Sequence, residues 1–98
     1  MDGMTFEWDS TKAAVNLRSH GVSFEEAATA FEDPLGAIFD DEAHSDEEPR
    51  EIIIGHSVRG RVLLVCFTDR GDAVRLISAR TATRRERREY EEHANNRT

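Results

Sequence analysis

Residues 60–80 constrain this chain most, because they read as two β-strands joined by a tight turn. Val62, Leu63, Leu64, Val65 and Phe67 fill the first arm, and Val74, Leu76 and Ile77 fill the second. Branched and aromatic side chains suit a pleated, half-buried surface. Between the arms lies Asp69-Arg70-Gly71-Asp72, where Gly71 can take a positive φ. Arg61, Arg70, Arg75 and Arg80 stand at the ends of the arms. A core hairpin that carries guanidinium groups predicts a sheet that folds the protein and also meets an anion.

The rest of the chain supplies helices and further strands. Phe6-Glu7-Trp8-Asp9 alternates as a short strand, and Asp9 is placed to cap a helix over Ser10–His20 that stops at Gly21. Ala13, Ala14 and Leu17 give that helix an apolar stripe, leaving Lys12, Asn16 and Arg18 more exposed. Ser23-Phe24-Glu25-Glu26 is a capping box opening a second helix that Pro34 ends. Leu35–Phe39 and Glu51–Ser57 read as strands, separated by an acidic loop over residues 40–50. Thr83-Arg84-Arg85-Glu86 is another capping box, starting a charged helix to about His93 whose main apolar anchor is Tyr90; residues 95–98 read as a flexible tail. The order β-α-α-β-β-β-β-α predicts a single α+β domain over residues 1–98, with a mainly antiparallel twisted sheet and the two early helices on one face. Strands that run apolar on both sides require cover on both. The second face is left for the last helix, a ligand or another protein.

Charge is divided along the chain. Residues 1–57 hold 14 acidic and 3 basic side chains, while residues 58–98 hold 6 and 10, for a net −7 overall. A basic C-terminal half can carry a local electropositive face within an acidic total. Cys66, the only cysteine, has no internal disulfide partner and reads as a small buried hydrophobe in a reducing cytoplasm. No run approaches the roughly 20 apolar residues of a membrane helix, and Met1-Asp2-Gly3-Met4 lacks the basic and apolar regions of a secretory signal. His44 with Asp40, Asp41 or Asp46 is the one metal arrangement to weigh. No second histidine or cysteine has ligand spacing, so the expectation is a mobile loop, no metal and no cofactor.

Phe6-Glu7-Trp8-Asp9, Lys12, Asn16, the run from His20 to Ala27, Arg50, Ile54-Gly55, Thr68-Asp69-Arg70-Gly71 and Arg75-Leu76-Ile77-Ser78-Ala79-Arg80 together resemble the BrnT toxins. The resemblance runs from about Phe6 to Tyr90, and the order of its pieces is specific where each piece alone is weak. It implies a RelE-like fold and a cytoplasmic type II toxin with ribonuclease activity that inhibits translation and growth. It also implies a neutralising ribbon-helix-helix antitoxin, BrnA-like, that binds operator DNA, with a heterotetramer as one possible assembly. The acidity departs from the basic surface usual in a ribonuclease.

Cleavage of RNA without a metal uses the neighbouring 2′-OH as nucleophile, so the protein must stabilise phosphorane charge and move protons. Arginine suits the first task through its permanent charge and forked donors. Arg75 and Arg80, five positions apart, point to opposite faces of a regular strand; they serve one site only if a bulge intervenes or Arg80 lies past the strand end. Salt bridges to the many carboxylates are the competing role for both. His20 is the candidate general acid or base, since imidazole titrates near neutrality, and its competing role is a helix-end cap. Lys12, eight residues earlier, falls on nearly the same helix face. Tyr90 is a catalytic candidate that stacks on a base or donates its hydroxyl, with anchoring of its helix to the sheet as the competing role, and His56 reads as a core or rim histidine. Arg61, Arg70 and Arg84 complete the set as RNA-backbone contacts. The reading of another class is a non-catalytic co-repressor module that binds a DNA-binding protein. In either case a partner is expected at the sheet side or the edge near the last helix, burying arginines.

Overall fold

The computed structural model describes residues 4–41 and 48–97. The elements are β1 (Phe6–Glu7), α1 (Ser10–His20), α2 (Phe24–Thr29), a 3₁₀ turn (Ala30–Glu32), β2 (Ala37–Asp40), β3 (Glu51–His56), β4 (Val62–Asp69), β5 (Val74–Thr81) and α3 (Arg84–Arg97). The strands form one five-stranded sheet in the order β1-β5-β4-β3-β2. Neighbours from β2 to β5 run antiparallel, and β1 joins β5 in parallel. This is the expected α+β order.

Local chemistry sets the element ends. Asp9 caps α1 by accepting from the Thr11 N–H, and Gly21 ends it at φ 69° with its N–H on the Leu17 carbonyl. The Ser23 hydroxyl accepts from the Glu26 N–H at 3.0 Å, one half of a capping box. The Glu26 carboxylate does not complete the box, because it turns inward to Arg61 and Ser57. At α3 both halves form: Glu86 N–H donates to Thr83 Oγ1 at 3.1 Å, and Thr83 N–H donates to Glu86 Oε1 at 2.9 Å. Gly71 takes φ 87° in the β4–β5 turn, where a side chain would be strained. The second helix is shorter than expected, tightening into the 3₁₀ turn before Pro34. The last helix is longer, continuing through Arg97 past His93.

α1 and α2 pack on β5, and the 3₁₀ turn packs on β3 and β4. Between them lies a core of Val22, Phe24, Ala27, Ala30, Ile53, Leu63, Val65, Phe67, Leu76 and Ala79. Phe31 meets Phe6 tilted and Phe67 edge-to-face, with ring centroids 5.1 and 5.0 Å apart. Leu17 does not join this core and is 51% exposed, whereas Asn16 is buried. The cause is the edge of β5. β1 pairs with β5 only at Val74 and Arg75, so the ladder beyond needs another partner. The Asn16 amide supplies it, accepting from Ala79 N–H at 3.0 Å and donating to the Ala79 carbonyl at 2.8 Å and the Val22 carbonyl at 3.0 Å.

The sheet also closes tightly on the 3₁₀ turn. A Cβ at Gly55 would sit 2.9 Å from the Ala30 carbonyl oxygen. Gly55→Ala is therefore expected to destabilise the fold by about 1–3 kcal/mol, read as a lower midpoint in thermal denaturation; an unchanged midpoint would contradict this packing.

Candidate functional site

The register of β4 on β5 contains one irregularity. Cys66 pairs with Ser78 and Phe67 with Leu76, leaving Ile77 as an extra residue. A bulge of this kind shifts the alternation by one. Arg80 opposite Leu64 and Arg75 opposite Thr68 consequently fall on the same sheet face, the one away from α1 and α2.

On that face lies a cavity of about 430 Å³. Its floor is Ile52, Leu64, Cys66 and Ile77, and its wall includes Ser78, His20, Arg80, Arg50 and Asp41. His20 reaches it from the C-terminal end of α1, held beside β5 by the Asn16 amide four residues before it. A second cavity of about 260 Å³ adjoins it and shares His20, Ile77 and Ser78; Lys12 and Ser19 belong to its wall. Lys12, His20 and Arg80 thus line one groove, with His20 at the junction.

Arg80 is half-exposed and firmly held. Its Nη1 donates to Glu86 Oε1 at 2.8 Å and its Nη2 to Glu86 Oε2 at 3.0 Å. Those hydrogen bonds hold the Glu86 carboxyl down at about 2, against the opposing effect of burial. Because the folded value lies below the usual 4.5, the pair stabilises the fold fully above about pH 4.5, and the contribution disappears as pH falls towards 2. Solvent screening at Arg80 leaves roughly 1 kcal/mol. Stability is expected to fall over that window in the parent and by about that much less in Glu86→Gln; identical acid profiles would contradict it.

Cys66 is half-buried rather than fully enclosed. Its thiol donates to Asp41 Oδ2 at 3.6 Å. Burial first, and then the Asp41 charge, push the thiol up to about 11, so it stays protonated near neutrality and is no nucleophile.

The other sequence candidates lie elsewhere. Arg75 shares the face of Arg80 but pairs with Glu7 at 3.2 Å and does not line the groove. Arg70 pairs with Glu48 at 3.0 Å. Arg61 is bound to the buried Glu26 and to the Gly21 carbonyl. Arg84 opens α3 on an exposed position. Tyr90 donates its hydroxyl to Asp33, which also accepts from the His56 N–H at 2.8 Å, and so ties α3 to the end of β3. Tyr90 lines a neighbouring cavity of about 280 Å³, which shares Leu64 with the first, together with Phe39, Ile54, Glu86, Glu89 and His93. α3 therefore covers part of the second sheet face and leaves the groove open. His56 sits on the rim, its Nδ1 3.2 Å from the Tyr90 oxygen.

Sequence reasoning assigned no role at the groove to Arg50, Asp41 or Ser78, and none to Glu86 beyond its capping box. Asp41 and Arg50, near the two ends of the acidic loop, meet through a backbone bond, Asp41 N–H to the Arg50 carbonyl, at 2.9 Å. No local pattern announces that closure. In the sequence Ser78 stands out only as part of the run ending in Arg80. His44 and Asp46, weighed as metal ligands, lie outside the described residues. Among the described residues no group of three or more histidine, cysteine or acidic side chains is placed to hold a metal. Nor is any helix there long and apolar enough to cross a membrane.

Comparison with known proteins gives two findings. The profile of a family described as the ribonuclease toxin, BrnT, of type II toxin-antitoxin systems matches residues 8–86. The crystal structure of the Brucella abortus ribonuclease toxin BrnT superposes with a TM-score of 0.64 at 24% identity, covering 84% of this chain and 100% of that one. No curated protein matches the sequence.

Proposed function

The chain belongs to the BrnT family of ribonuclease toxins of type II toxin-antitoxin systems, and from that premise we propose that it cuts RNA at the groove lined by His20 and Arg80 without a metal ion. The observation that carries this reading is that His20 and Arg80 line one cavity. A proton carrier and a permanent cation are the two groups that 2′-OH attack on phosphorus requires.

In this mechanism the 2′-oxygen bonds to phosphorus as its proton leaves to a base, and the bond from phosphorus to the 5′-oxygen breaks as that oxygen takes up a proton. The products are a 2′,3′-cyclic phosphate and a 5′-hydroxyl. Arg80 bears the charge that gathers on the non-bridging oxygens. His20 serves one proton transfer, and Lys12, in the adjoining wall, adds positive charge along the strand. The apolar floor of Ile52, Leu64 and Ile77 accepts an unstacked base, which favours single-stranded RNA.

Cleavage inside the cytoplasm would inhibit translation and growth. A ribbon-helix-helix antitoxin that also binds operator DNA would silence the toxin by covering the groove and its arginines, in a heterotetramer or a smaller complex. The test joins both claims. Purified protein should cut single-stranded RNA in excess chelator, and RNA and antitoxin should exclude each other. Loss of cleavage in chelator, restored by a divalent ion, would overturn the metal-free route. Tight antitoxin binding with no RNA cleavage under any condition would favour the co-repressor reading. Cleavage that continues unchanged in the bound complex would overturn occlusion.

A further inference from the structure

A guanidinium presents five N–H bonds in one plane. In Arg80 the end-on pair is taken by the two carboxylate oxygens of Glu86, at 2.8 and 3.0 Å. The second hydrogen of Nη1 faces the Thr81 carbonyl at 3.3 Å. Two N–H bonds remain without an acceptor among the described residues: Nε–H and the second hydrogen of Nη2. They lie along the lateral edge of the same plane, which can grip two phosphate oxygens in parallel.

Glu86 is as firmly held as the group it holds. Its Oε1 accepts from the Thr83 N–H at 2.9 Å, and its own N–H donates to Thr83 Oγ1 at 3.1 Å. The carboxylate is thereby locked to the first turn of α3, while Arg80 is the penultimate residue of β5. One ion pair bridges the strand end and the helix start, beside the cavity that Arg80 lines.

We propose that Glu86 is a positioning residue: it clamps the end-on edge of Arg80 and presents the lateral Nε and Nη2 edge to the RNA phosphate. An unclamped arginine has four side-chain torsions to fix before it can meet the transition state, and a clamped one meets it pre-organised. A carboxylate acting as a mask would instead have to leave before phosphate binds, yet here it leaves a complete bidentate edge open. The proposal rests on the reading of Arg80 as the phosphate contact.

The experiment compares Glu86→Gln in two backgrounds, the parent and Arg80→Lys, with Arg80→Ala as reference. Glutamine keeps the capping box but removes the charge that orders the guanidinium. Cleavage by Glu86→Gln is expected to fall about tenfold in kcat, and the same change in the Arg80→Lys background should have almost no effect, since a point charge has no edge to orient. Binding to an RNA with a 2′-deoxy residue at the cut site should weaken, although the substitution makes the protein less negative. Equal or faster cleavage by Glu86→Gln would overturn the proposal and make Glu86 a mask or a bystander. An equal fall in the Arg80→Lys background would overturn it by showing that Glu86 acts otherwise than through Arg80. If Arg80→Ala cleaves like the parent, the reading of Arg80 itself is wrong.

Discussion

Replacing Arg80 by alanine is expected to lower RNA cleavage by about 10²–10³-fold while leaving the fold intact. The size follows from removing a pre-organised charged donor at the phosphorus. The selectivity follows from exposure: Arg80 is 42% exposed and its ion pair with Glu86 is partly solvated, so its loss costs the fold about 1 kcal/mol at most. Arg80→Lys should retain part of the rate, because it keeps the charge and loses the fork. His20→Ala is expected to fall by about 10²–10⁴-fold through the lost proton transfer. Arg75→Ala should do much less, since Arg75 is paired with Glu7 outside the groove. Single-turnover rates on one RNA, alongside thermal midpoints, check all four. Equal losses for Arg75 and Arg80 would contradict the placement.

Arg61→Ala is expected to behave in the opposite way, unfolding the protein without touching the chemistry. The Glu26 carboxylate is 4% exposed and is met by Arg61 Nη2 at 2.5 Å, Arg61 Nε at 3.0 Å and the Ser57 hydroxyl at 2.7 Å. Hydrogen bonds from Arg61, then from Ser57, hold it below the usual carboxylate range despite burial. Removing Arg61 strands a buried charge, at a cost of about 2–4 kcal/mol, or roughly 10–20 °C in midpoint for a chain of this size. Cleavage per folded molecule at low temperature should stay within about twofold of the parent, well below the order-of-magnitude effects of removing a transition-state contact. A stable Arg61→Ala protein with weakened RNA binding would restore Arg61 as a backbone contact.

The contrast between these two arginines shows what was legible in the sequence. Features fixed within a few residues can be read: the Asp9 and Ser23 caps, the Thr83 and Glu86 box, the Gly71 turn and the succession of helices and strands along the chain. Features set by residues distant in the chain could not. Helical periodicity places Asn16 towards solvent, yet it completes the edge of β5 sixty-three residues away. The same periodicity places Leu17, next to it, in the core, and it is exposed. Glu26 had the spacing of a capping box, but its buried position made Arg61 the stronger partner. A bulge is one of two conditions under which Arg75 and Arg80 serve one site, and the register supplies it at Ile77. That was not enough to bring them together, because Glu7 takes Arg75. Tyr90, weighed as a base contact or an anchor, lies on Asp33 as an anchor.

The most direct test of the metal-free site is the chemistry of the cut ends. Purified protein is incubated with a defined single-stranded RNA in excess chelator, and the termini of each fragment are identified by mass spectrometry and by ligation. The account predicts 5′-hydroxyl fragments with 2′,3′-cyclic phosphate or its hydrolysed monophosphate on the other side, no cutting at a 2′-deoxy position, and none by Arg80→Ala. Fragments with 5′-phosphate and 3′-hydroxyl ends, formed only when a divalent ion is restored and equally well at a 2′-deoxy position, would contradict it.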